Sequence, residues 1–165
     1  MRITKKIKDQ QIEILGEVYK DVKPALIFKN PFELLIAVIL SAQCTDKRVN
    51  VTTARLFAKA PTPEAIIDMG IEALENEIRD CGLFHNKAKN IMATCRTLVE
   101  EFSGEVPSDY DTLLKLPGVG RKTANVVTSI AFNRPAPAPA VIKIRSSVRL
   151  RFLLLLKPFP TQAPR

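Results

Sequence analysis

Apolar positions recur along this chain at intervals of three and four, the spacing of helices buried on one side. Ile3, Ile7, Ile14 and Val18 mark a first amphipathic segment from about Thr4 to Val22. Asn30-Pro31-Phe32-Glu33 is a strong helix start: a capping Asn, Pro at the first position and Glu at the third. The run FELLIAVIL that follows is apolar on nearly every face, which predicts a central, buried helix. Further helices are predicted from Thr45 to near Ala60, from Thr62-Pro63-Glu64 to Gly70, and from Ile71 to Cys81 with a stop at Gly82. Asn86 to Phe102 reads as a long helix with Ile91, Cys95, Leu98 and Phe102 inward, ending around Gly104. Ser108-Asp109-Tyr110-Asp111 caps another, and the last body helix reaches about Phe132. No stretch alternates in the manner of a strand, so the body is all-α.

The pattern breaks after Arg134. PAPAPAV is followed by IKIRSSVRLRFLLLLKPFPTQAPR, an apolar block among prolines and cations without helix caps. The net charge is +8, but six cations lie in residues 137–165 with no acid among them. Without those six, 19 basic residues face 17 acidic ones, so charge alone is a weak argument for a polyanionic partner. No apolar run approaches the roughly 18 residues of a membrane span, and MRITKKIKDQ lacks the apolar core of a signal peptide. Cys44, Cys81 and Cys95 lack C-x-x-C spacing and read as reduced thiols of a cytoplasmic protein; no metal site is expected.

Chemistry concentrates in Leu113 to Val127, LLKLPGVGRKTANVV. The spacing of Leu113, Leu116, Gly118, Val119, Gly120, Ala124 and Val127 fits two helices joined by a tight hairpin. The glycines permit the turn and close approach of a phosphodiester, and the turn's N–H groups can hold a phosphate oxygen. Ala124 lets the second helix pack closely. Lys122, next to Arg121, can serve as a nucleophile as well as a charge. Taken alone, the same residues also suit a helical hairpin without ligand and a solvated lysine.

LPGVGRKTANVV resembles the signature of the endonuclease III family of helix-hairpin-helix DNA glycosylases. NPFELLIAVILSAQCTD (30–46), GLFHNKAKNI (82–91) and GEVPSD (104–109) agree in order and spacing, and the likeness covers residues 5 to 136. The resemblance implies cleavage of the N-glycosidic bond of oxidised pyrimidines in duplex DNA, then β-elimination at the abasic site. It makes Lys122 the catalytic residue, attacking the sugar C1′ and forming a Schiff base. That chemistry needs a neutral amine, which burial beside Arg121 and an apolar helix face would favour. The target nucleotide must also leave the stack. By resemblance Gln43 fills the gap it leaves and Leu83 acts as a wedge, while Leu116, Gly118, Val119, Gly120, Arg121 and Thr123 form the DNA grip. Read without the family, Leu83 is a core residue and Gln43 a loop residue. Asp46 reads as a helix-start residue, and Lys87 and Lys89 as phosphate contacts or solvated charges.

Two features of the family pattern are missing. An aspartate is due about 18 residues after the lysine, where Ala140 stands, and no Asp or Glu follows Asp111. No cysteine follows Cys95, so the family's four-cysteine iron–sulfur site has no ligands and no cofactor is expected. The expected organisation is an N-terminal helix and linker (1–29), a helical glycosylase domain (30–136) with the hairpin at 109–132, and an atypical tail (137–165). The iron–sulfur lobe is missing from that organisation, as a truncation or an altered reading frame after about residue 136 would leave it. The expected function is an impaired glycosylase and abasic-site lyase, a monomer acting on damaged duplex DNA at the nucleoid, with no membrane partner. The alternatives are a non-catalytic DNA-binding module and a helical interaction protein.

Overall fold

The computed structural model describes residues 24–134, together with Gln10 and Ile14. The helix expected over Thr4–Val22 and the tail 137–165 otherwise lie outside the described residues. Within residues 24–134 are seven helices: α1 Pro31–Ser41, α2 Asp46–Lys59, α3 Pro63–Met69, α4 Ile71–Ile78, α5 Phe84–Phe102, α6 Tyr110–Leu113 and α7 Arg121–Ala131. No strand occurs among the described residues.

Helix α1 starts where its signal predicts. Asn30 Oδ1 accepts from the Glu33 N–H at 2.8 Å, and Pro31 occupies the first helical position. Glu33 reaches back to accept from the Lys29 N–H at 2.7 Å, one residue before the cap. Leu34, Leu35, Ile36, Ala37 and Leu40 are fully buried, so α1 is the central element, packed by α2, α5 and α7. Helices α3 and α6 are capped by Thr62 and Asp109.

Two boundaries differ from the expected ones. Helix α4 ends at Ile78, three residues before Cys81, because the chain turns to bury Cys81 against Thr52 (Sγ to Oγ1, 3.7 Å). Helix α5 begins at Phe84, two residues early, straight out of a left-handed Leu83. Its C-terminal end is as expected: Ser103 and Gly104 are left-handed and both N–H groups return to the Leu98 carbonyl. Cys81, Ile91, Cys95, Leu98, Leu113 and Val127 join α1 in one core.

Candidate nucleic-acid interface

The hairpin is built as its sequence requires. Leu116 and Val119 close the turn (Val119 N–H to Leu116 carbonyl, 3.1 Å), and both side chains are buried in the core. Within the expected grip these two therefore act as anchors that hold the turn, with only backbone left to offer a ligand. Gly118 takes φ +74°, and a β-carbon there would lie 2.8 Å from Cβ of Asn90 on α5. Thr94, one turn further along α5, donates to the Pro117 carbonyl at 2.7 Å. The long helix thus forms the bed on which the hairpin lies.

Gly120 is different. It caps α7 with an ordinary extended backbone, and a β-carbon added to it would meet nothing within 4 Å. No internal contact demands a glycine there; the open space lies in front of the first turn of α7. Arg121 and Lys122 in that turn are exposed, and Thr123 is half-buried. Two cations at the positive end of a helix are unfavourable unless an anion joins them. Among the described helices, only α5 and α7 have neither a side-chain cap nor an acidic residue in the first turn.

Lys122 is exposed, as the solvated reading of the residue has it, and lacks the burial that would favour a neutral amine. The buried face of α7 is carried by Ala124, Val127 and Thr128. At 3.6 residues per turn, Lys122 stands roughly 200° around the helix from Ala124. Asn125, one turn on, is buried with its Oδ1 lacking a hydrogen-bond partner.

Gln43 and Leu83 come from loops forty residues apart, and the fold brings those loops together. A β-carbon on Gly82 would lie 3.6 Å from the Gln43 carbonyl, an ordinary contact distance. Both residues are exposed, Leu83 at 60%, and both are left-handed, with φ 55° for Gln43 and 59° for Leu83. Such a backbone costs a non-glycine residue about 1–2 kcal/mol. An exposed leucine held in that conformation is not a core residue, so the core alternative for Leu83 is set aside. Strained backbone of this kind clusters at binding sites.

Lys87 departs from expectation. It is neither solvated nor directed at a phosphate: it is 5% exposed, and Nζ donates to the Leu40 carbonyl at 2.8 Å. Lys89 is exposed and Asp46 opens α2 in its first turn, as expected. Asn90 and Thr94 are site-building residues that sequence reasoning missed, and Lys87 is one whose role it misplaced. Their only signal was helical spacing beneath the GLFHNKAKNI motif.

Burial pushes the Cys95 thiol up to about 12 and raises that of Cys81, and both sit in the apolar core. Among the described residues no three His, Cys, Asp or Glu side chains gather as a metal site, and no helix is long and apolar enough to cross a membrane. A cavity of about 560 Å³ between α5 and the α3–α4 junction, lined by Ile67, Ile71, Met92 and Arg96, shares no residue with the hairpin or the paired loops.

Comparison with known proteins matches residues 36–153 to the model of the HhH-GPD superfamily base excision DNA repair protein, past residue 136 where the family pattern was read as lost. The endonuclease III of Bacillus subtilis is 48% identical over 139 residues, covering 84% of this chain and 64% of the relative, so the chain spans less than two thirds of that protein's length. A non-covalent endonuclease III–DNA complex superposes with a TM-score of 0.78 at 45% identity, covering 96% of this chain and 79% of that one. A trapped endonuclease III–DNA covalent intermediate gives 0.79 at 42%, covering 95% and 80%. With this all-helical fold and a matched hairpin, the chain belongs to the HhH-GPD superfamily of base excision DNA repair proteins, in its endonuclease III branch.

Proposed function

We propose that the chain acts in base-excision repair as a DNA N-glycosylase for oxidised pyrimidines with abasic-site lyase chemistry, and that the chemistry is impaired. The observation that carries this reading is an exposed Lys122 in the uncapped first turn of α7, directly behind a glycine with open space before it. A phosphate beside Gly118–Gly120 gains the free N–H groups and the positive helix end, with Arg121 adding charge. Gln43 and Leu83, on touching loops, enter the duplex where the damaged nucleotide has left.

The Lys122 Nζ lone pair then bonds to the sugar C1′ as the bond to the base breaks, and the base leaves with the electron pair and takes a proton. The amine loses a proton, the ring C1′–O4′ bond opens to give the Schiff base, and removal of a 2′ proton expels the 3′ phosphate. Because Lys122 is exposed in the free chain, the bound duplex supplies the water exclusion this step needs. A positioned carboxylate commonly contributes about 10²–10⁴ in rate. None follows Asp111 in the sequence, which supports impairment. The same observation favours a second reading, a DNA-binding module without chemistry. The proposed partner is damaged or abasic duplex DNA at the nucleoid, bound by a monomer with no cofactor on its own cysteines.

Borohydride trapping on abasic-site duplex tests the reading. A covalent adduct that disappears in Lys122→Ala supports the lyase. Salt-dependent binding without an adduct leaves the DNA-binding module. Neither, from folded protein, overturns both.

A further inference from the structure

Lys87 is a cation where the fold has little reason to keep one. Burying an ammonium is costly unless it is paired and hydrogen-bonded, and among the described residues none of the ion pairs involves Lys87. Its ammonium instead donates to the carbonyl of Leu40, in the last turn of α1, at 2.8 Å. That turn has no basic residue of its own. The negative end of α1 is therefore met by a cation from a helix 47 residues further along the chain. Ser41 Oγ, donating to the Val38 carbonyl at 2.8 Å, and the Cys44 N–H, donating to the Ser41 carbonyl at 3.1 Å, complete the end of the helix.

What Lys87 joins matters more than what it neutralises. Gln43 lies three residues beyond Leu40, at the exposed tip of the loop. The backbone N–H of Lys87 donates to the Leu83 carbonyl at 3.1 Å. One residue thus holds the end of α1 with its side chain and the strained Leu83 turn with its backbone.

We infer that Lys87 is a positioning residue that locks the Gln43 loop to the Leu83 turn, so that both side chains enter the duplex from one rigid platform. This rests on the proposed reading of Gln43 and Leu83 as inserted residues. Lys87 does not touch the DNA: its nitrogen faces an interior carbonyl, and it adds no phosphate contact.

The test uses the full chain with Lys87→Met, and two duplexes of one sequence, intact or carrying a tetrahydrofuran abasic analogue opposite 2-aminopurine. Affinity for the analogue duplex is expected to fall about tenfold. Binding to intact duplex and the slope of log K against log[salt] are expected to stay unchanged, and the 2-aminopurine signal at saturation to drop. In a Gln43→Ala background the same substitution should cost much less. Lys87→Gln keeps a donor for Leu40 and carries the same measurements if the methionine variant loses its helical circular dichroism; partial recovery of selectivity supports the proposal. Equal loss on both duplexes with a shallower salt slope would make Lys87 a phosphate contact and overturn it. A folded variant with unchanged selectivity and 2-aminopurine signal also overturns it. If the wild-type chain does not prefer the analogue duplex, the inserted-residue reading falls, and this inference with it.

Discussion

A β-carbon on Gly118 would sit 2.8 Å from Cβ of Asn90, closer than real β-carbons approach a neighbour. The hairpin's first glycine is therefore set by the fold, through φ +74° and the bed of α5, before any ligand arrives. Gly120, two residues on, meets nothing, so its space is left for something outside the chain.

These two glycines should separate in mutation. Gly118→Ala combines left-handed strain with overpacking against Asn90 and should cost about 2–4 kcal/mol in urea denaturation. Gly120→Ala should stay within about 0.5 kcal/mol of wild type while weakening duplex affinity. Equal stability losses at both positions would contradict the assignment of one to fold and the other to ligand.

Leu83 should show a trade between stability and function. Leu83→Gly relieves a left-handed backbone and removes a side chain that is 60% exposed. Stability should rise by about 1 kcal/mol, while selectivity for abasic over intact duplex falls. Thermal melts with paired binding assays would read both, and a less stable glycine variant would refute the strain argument.

Asp109 links α6 to acid. The Thr112 hydroxyl and N–H donate to its carboxylate at 2.8 and 2.9 Å, and the hydroxyl, the larger influence, holds the acid below its ordinary 3.8. A value lowered by folding gives stability that is fully present above the unfolded value and lost as pH falls through the folded one. Asp109→Asn keeps a cap without the charge. Melting temperatures of the two proteins should keep a constant difference down to about pH 4 and converge below it. A difference that changed only near neutrality would exclude Asp109 as its source.

The thiols should react in order of burial. Cys44 is half-buried, whereas Cys81 and Cys95 are buried with thiols raised by desolvation. An aromatic disulfide reagent should modify Cys44 first in native protein, and all three cysteines only after unfolding. Rapid native modification of Cys95 would show that its part of the core opens readily.

Most of the helical order was legible because it is local. The Asn30 cap, the Gly104 stop and the hairpin spacing each act within a few residues, where backbone preference and side-chain capping decide the outcome. The form of the LPGVGRKTANVV turn was legible for the same reason. Helix α4 stopped early because Cys81 had a partner, Thr52, that no local pattern names.

What tertiary structure alone decided is where each polar side chain ends. Lys87 and Lys89 look alike in sequence, two residues apart on one helix; one is buried on the Leu40 carbonyl and the other is exposed. Lys122 could be read as buried or solvated, and it stands exposed because packing turned Ala124 and Val127 inward. Gln43 and Leu83 became neighbours only when α1 and α5 packed. The sequence by itself determined the helices and the hairpin, since those depend on interactions within a turn or two. Burial of a charge and contact between distant loops depend on which carbonyls and surfaces the whole fold brings alongside.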